Sequence, residues 1–197
     1  MKDLKNYIFE SISKLNPNKS FSHYLIVNFD YNIIYNLLNN HFYEVQKVYQ
    51  QYPNQKGLDF KCLKEKAKTS ESSQQYFGII YKTIDRKNKE IIFEPKELTK
   101  DNKINIPKNN LIVDTYIGYI LDNKLYLVKK EELESKINNY KVKLLNLKPE
   151  YKFELLDEQK DVYQQVYDIY DNITLEDRNS SNFKNLDEFK EINELIK

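Results

Sequence analysis

At 197 residues, with 40% apolar and 14% aromatic side chains, the chain can bury a sizeable core and is too apolar for a disordered protein. Thirty-one cations against thirty acids leave a formal charge of +1, which argues against a molecule that lives on nucleic acid. Cys62 is the lone cysteine, which excludes an internal disulfide, and no run approaches the roughly 20 apolar residues of a membrane span.

In chain order, Leu4, Ile8, Ile12 and Leu15 repeat at helical spacing until Pro17. Phe21–Phe29 is β-branched and aromatic and predicts a strand. Asp30 then caps a second helix, whose stripe runs Ile34, Leu37, Leu38, His41, Val45, Val48 and Tyr52. Leu58, Phe60 and Cys62 alternate with Asp59 and Lys61, the period of a half-buried strand. Residues 64–75 are polar and predict a loop.

Two stretches rich in Ile, Tyr, Leu and Val follow, each broken by an Asx-containing turn. They predict hairpins over Tyr76–Phe93 and Leu111–Val128. Tyr76-Phe77-Gly78-Ile79-Ile80 parallels Tyr116-Ile117-Gly118-Tyr119-Ile120, and the chain has only three glycines, so a repeated hairpin with equivalent glycines is expected. A short helix is expected from Glu131, then a last hairpin over Lys141–Asn146 and Tyr151–Leu156. Helices over Asp157–Ile173 and Leu186–Ile196 complete the pattern. The expectation is an α+β fold: an N-terminal helix-strand-helix unit, a mostly antiparallel sheet built from hairpins, and a helical C-terminus. Residues 1–173 read as one domain, 174–184 as a linker and 185–197 as a C-terminal helix.

Few chemical constellations are present. His23 and His41 are the only histidines, which with one cysteine leaves no Cys/His spacing for zinc. Ser70, Ser72 and Ser73 lie in a polar stretch without a G-x-S-x-G elbow, and the isolated glycines form no phosphate loop. Gly78-Ile79-Ile80-Tyr81 and Tyr116-Ile117-Gly118 look like the halves of the GIY-YIG nuclease motif. In that family a short hairpin joins the halves and an arginine follows on a helix. Here 34 residues intervene, and Arg178 in the predicted linker is the only later arginine.

The sequence also resembles, in scattered pieces, PD-(D/E)xK nucleases, in which an acid on one strand and an acid-x-Lys on the next hold Mg2+ and activate water. That resemblance implies Asp59 as the first acid, with Glu94 and Lys96 as the second pair, and Mg2+ on Asp59 and Glu94. Pro95 inside the motif would remove a strand amide. Lys66-Ala67-Lys68-Thr69-Ser70 offers an alternative strand end, with lysine where the family has an acid.

The remaining signals point to binding. Tyr163, Tyr167 and Tyr170 lie three or four apart on a helix, as packed core or as a partner-helix surface. Leu186, Phe189, Ile192 and Leu195 form an apolar stripe on a helix too short to stand alone, which either packs on its own domain or attaches to a partner. The sequence-level reading is therefore a soluble, intracellular, non-enzymatic interaction or assembly protein of an AT-rich microbe, phage or virus. It needs no cofactor and takes a protein partner or a second copy; nucleic acid is not favoured by the net charge, and a membrane is not expected. The alternative is a small Mg2+-dependent nuclease.

Overall fold

The computed structural model describes residues 20–48, 57–65, 75–106 and 112–197. They fall into two compact units, one drawn from the chain up to Ile34 together with Leu155–Lys197, the other from Tyr35–Glu154. The helix expected over Leu4–Leu15 and the serines of the polar stretch lie outside the described residues.

The first described element corrects the sequence reading. Phe21–Asn39 is one continuous helix (α1), not a strand followed by a capped helix. Ser22, Leu25, Ile26, Phe29, Asp30, Ile33, Ile34, Leu37 and Leu38 are its buried positions, alternating in steps of three and one. That spacing is the helical period, and it overrides the strand propensity of the individual residues. Asp30 is therefore no cap; it is wholly buried in mid-helix. The helix stops at Asn39, where Asn39 and Asn40 donate their side-chain amides to the carbonyls of Tyr35 and Asn36. His41 falls beyond the helix, and Val45 belongs to a strand, β1 (Glu44–Lys47).

In the helical unit, α1 meets α3 (Asp157–Asn172), α4 (Leu175–Asn179) and α5 (Asp187–Leu195); α2 (Lys130–Glu134) belongs to the other unit. The Tyr167 hydroxyl donates to Asp30 Oδ2 at 2.6 Å, and the Phe29 and Tyr163 rings stack 6.1 Å apart. Gln159 accepts from the Leu156 amide at 3.0 Å and donates to the Ile33 carbonyl at 3.0 Å, joining the start of α3 to α1. Residues 174–184, the expected linker, carry α4 and a 3-10 turn at Phe183–Asn185. Thr174 caps α4 by accepting from the Asp177 amide, and Phe183 is 1% exposed, its ring near those of Phe21 and Phe189.

The sheet unit contains a curled six-stranded sheet in the order β1, β2 (Phe60–Leu63), β3 (Tyr76–Tyr81), β5 (Ile112–Leu121), β6 (Lys124–Lys129), β8 (Tyr151–Glu154). All its pairs are antiparallel except β3 with β5. A separate two-stranded ribbon joins β4 (Glu90–Ile92) to β7 (Lys141–Lys143). The α+β class and mostly antiparallel sheet are as expected, but of the expected hairpins only β5–β6 forms. Its turn places Asp122 and Asn123 at φ 49° and 59°, the left-handed pair that matches strand twist.

The first expected hairpin fails because β3 has both edges occupied, by β2 and by β5. A local turn at Asp85 does form, with the Asp85 carboxylate accepting from the amides of Lys87 and Asn88, but the strand after it pairs with β7. The expected last hairpin fails likewise: β7 pairs with β4, and β8 with β6. Gly78 and Gly118 are not equivalent either, since Gly78 pairs with Thr115 and Gly118 with Tyr81.

One face of the sheet packs against the ribbon and α2, in a core that includes Ile91, Phe93, Ile117, Tyr119, Val128 and Leu133. Beneath it Glu134, 6% exposed, accepts from the Ile104 amide at 2.7 Å and the Lys130 ammonium at 2.9 Å. On the other face the sheet ends are drawn together by rings rather than by backbone bonds. His41 stacks on Phe153 at 4.1 Å, and Phe42 meets Phe77, Tyr151 and Phe153 edge-on at 4.9–6.0 Å.

The buried Asp30–Tyr167 pair yields a direct test. Tyr167→Phe removes the donor from a buried carboxylate and is expected to lower unfolding free energy by about 1–3 kcal/mol in urea titration. An unchanged midpoint would show that the hydroxyl contributes nothing to the helical unit.

Candidate interaction site

The residues of the nuclease reading have structural partners. Asp59 stands just before β2, where its Oδ2 accepts from the Tyr81 amide at 2.7 Å and its backbone bonds to Ile79 and Val48. That carboxylate helps hold strand register. Glu94 precedes a 3-10 turn at Pro95–Glu97, and its Oε2 lies 2.9 Å from Lys96 Nζ, with both side chains about half exposed. Glu97 in turn accepts from the Glu94 amide and from Lys82 at 2.7 and 2.8 Å. Among the described residues, no group of three or more His, Cys, Asp or Glu is arranged to hold a metal ion. The alternative strand end at Lys66–Ser70 lies outside the described residues.

The residues of the binding reading divide. Tyr163 and Tyr167 are buried inside the helical unit, at 3% and 6% exposure, and Tyr170 carries the Arg178 guanidinium 4.3 Å above its ring. Ile192 is wholly buried, whereas Leu186, Phe189 and Leu195 are half-buried. The stripe of α5 thus packs into its own unit, and Phe189 lies 5.6 Å from Phe21, ring to ring. What α5 leaves outside is charged: Asp187, Glu188, Lys190, Glu191 and Glu194 are exposed.

A polar network occupies the aromatic end of the curled sheet. The Lys64 ammonium lies 5.3 Å from the Tyr151 ring centre and 5.7 Å from that of Phe77. Its hydrogen bond to Tyr151, with the nearby negative charges, holds the Lys64 pKa above the ordinary lysine value. The Tyr116 hydroxyl donates to Glu150 at 3.0 Å, and Lys129 lies 3.6 Å from the same carboxylate. Burial above all, then Glu150, pushes the Tyr116 phenol up. Lys64 is therefore a fixed cation and Tyr116 a fixed neutral donor near neutral pH. Such groups bind and orient; neither is poised to take a proton.

The third feature is the ribbon, which the sequence reading missed. Its strands are about fifty residues apart in the chain, and each is only three residues long. The available signal was local: Lys141-Val142-Lys143 alternates, and Asn138-Asn139-Tyr140 precedes it as a turn. In that turn Asn139 and Tyr140 take φ 48° and 62°, an unfavourable region for a bulky tyrosine. Ile91 and Val142 point into the core, while Ile92, Lys141 and Lys143 face outward. Ile92 (46% exposed) is a large apolar side chain on that outer face, and Tyr140 (42%) and Leu145 (84%) are exposed just before and just after β7. Lys87, Lys89, Lys143 and Lys148 are also exposed in the same stretches of chain.

No protein-family model, curated protein or solved structure matches this chain. No helix among the described residues is long and apolar enough to cross a membrane.

Two chemical tests follow from burial in the sheet unit. Burial, then Tyr126, pushes the Tyr119 phenol up to about 12 from 10. The fold favours the neutral phenol, so this contribution is complete below pH 10 and is lost as pH rises to about 12. Tyr119→Phe should therefore lose less stability than the wild type over that alkaline window. Cys62 is 0% exposed, and burial pushes its thiol up, so it should resist a thiol reagent in the native protein and react stoichiometrically in denaturant.

Proposed function

We propose that this protein is a non-catalytic recognition and assembly module, which binds a protein partner through the outer face of the β4–β7 ribbon and the acid-rich helical surface of its C-terminus. The observation that carries the reading is that Ile92 on the outer face of the ribbon is exposed, as are Tyr140 just before β7 and Leu145 just after it, while Ile91 and Val142 on the inner face are buried core. Scattered exposed apolar residues need no explanation, but a lysine-rimmed set with a tyrosine held in a strained turn has the composition of an interface.

Among the described groups with a shifted pKa, the direction relative to neutral pH is uniform. Lys64 and Lys96 are raised, as are the phenols of Tyr76, Tyr116, Tyr119 and Tyr170 and the Cys62 thiol, while Asp85 and Asp187 are lowered. Each of these shifts moves its group away from neutrality. Acid-base catalysis needs the opposite, a group brought toward the working pH. The carboxylates of the nuclease reading are also engaged, Asp59 with a backbone amide and Glu94 with Lys96.

Plasmid incubated with Mg2+ or Mn2+ decides between recognition and cleavage. The wild type, Asp59→Ala and Lys96→Ala are all expected to leave supercoiled DNA intact. Nicking by the wild type that disappears in both variants would overturn the proposal in favour of the nuclease.

A further inference from the structure

We infer that the partner of the ribbon is a second copy of this chain, engaged head to tail: the basic, apolar ribbon of one molecule on the acidic helical surface of the next. This rests on the recognition reading above and names the partner. Charge is unevenly divided along the chain. Residues 35–154 carry 22 cations against 16 carboxylates, whereas residues 155–197 carry 11 carboxylates against 5 cations. A net charge near zero therefore conceals an excess of cations in one stretch of the chain and of carboxylates in the other.

The ribbon concentrates the positive side. Across residues 85–93 and 138–148 stand Arg86, Lys87, Lys89, Lys141, Lys143 and Lys148, against Asp85 and Glu90. Glu90 is 8% exposed and already receives Lys141 at 3.1 Å, so it offers little negative charge to a partner. The acidic side carries a matching apolar feature. Leu175 on α4 is 71% exposed and is followed by Glu176 and Asp177, both exposed. An exposed apolar residue followed by two exposed carboxylates complements exposed apolar residues in lysine-rich segments, in sign and in hydrophobic character. Nucleic acid, the other anionic partner, is disfavoured by the near-zero net charge of the chain.

The two surfaces are different patches, so the contact is heterologous and each copy has one of each to offer. Association then continues beyond a dimer, into a ring or a filament, unless a surface is blocked. That property makes the inference testable by mixing. Lys143→Glu with Leu145→Ser spoils the ribbon, and Leu175→Ser with Glu176→Lys spoils the acidic surface. All four positions are exposed, and the variants are checked for an unchanged melting temperature.

In sedimentation velocity from low to high micromolar concentration, the wild type is expected to form species larger than a dimer at low salt. At about 500 mM salt, where screening reaches a few ångströms, they should dissociate. Each double variant alone should associate at least about tenfold more weakly. Mixed one to one, the two variants should form a dimer that does not grow, because each supplies the surface the other lacks. A wild type that stays monomeric throughout, or variants that associate like the wild type, overturns the inference. Binding of a monomeric wild type to phosphatidylserine vesicles also overturns it, and assigns the ribbon to an anionic lipid surface. None of these outcomes touches the plasmid result, which alone bears on recognition against cleavage.

Discussion

The parallel pairing of β3 with β5 is the constraint from which the sheet unit follows. Parallel neighbours cannot be joined by a tight turn, so the chain between Tyr81 and Ile112 must leave the sheet and return. On that excursion it carries β4 and the 3-10 turn at Pro95–Glu97. With β2 on one edge of β3 and β5 on the other, β4 has no place in the sheet, and it finds its partner in β7. The ribbon, its buried inner face and its exposed outer face all derive from that exclusion. Even the edges of the ribbon are partly taken, by the Asp85–Glu90 and Asn138–Lys141 bridges of the flanking turns.

Polar side chains, buried in the case of Asp30, Gln159 and Glu134 and half-buried in that of Asp59, tie together segments that are far apart in the chain. Asp30 joins α1 to α3 through Tyr167, and Gln159 joins the same helices through the Ile33 carbonyl. Glu134 pins the Ile104 amide to α2, and Asp59 pins the Tyr81 amide beside β2. Each supplies a hydrogen bond that a buried group would otherwise lack, and such bonds are directional where apolar packing is not. They select one arrangement among several that would bury similar area. The Asp59 carboxylate, one of the acids singled out in the sequence, is part of this set through its bond to the Tyr81 amide.

Charge is organised on a longer scale. The acids gather in the C-terminal helices and the lysines in the sheet unit, while the total stays near zero. The same uneven distribution is invisible to a net charge or an isoelectric point. Its consequences depend on ionic strength, which screens exposed charges within about 8–10 Å. The aromatic end of the sheet adds a different kind of site, where Lys64 rests over rings and Tyr116 donates to Glu150. There the side chains are fixed by their protonation states as donors and cations.

Local chemistry in the sequence determined the long periodic helices, the β5–β6 hairpin with its Asp122-Asn123 turn, and the buried alternation of Phe60 and Cys62. These depend on periods and turns contained within ten or twenty residues. The sequence also held the period of α1, but β-branched and aromatic residues at its start disguised it as a strand until burial showed the three-one spacing. What only the tertiary structure decided was partnership. Which edge of β3 was free, which segment met β4, and whether Tyr163 and Tyr167 faced solvent or α1 all turn on contacts between residues far apart in the chain. A three-residue strand such as Lys141–Lys143 has too little pattern to name its partner, because its pairing is chosen by the edge left open to it. The candidate site is made of such pairings, so its residues were legible one by one while their juxtaposition was not.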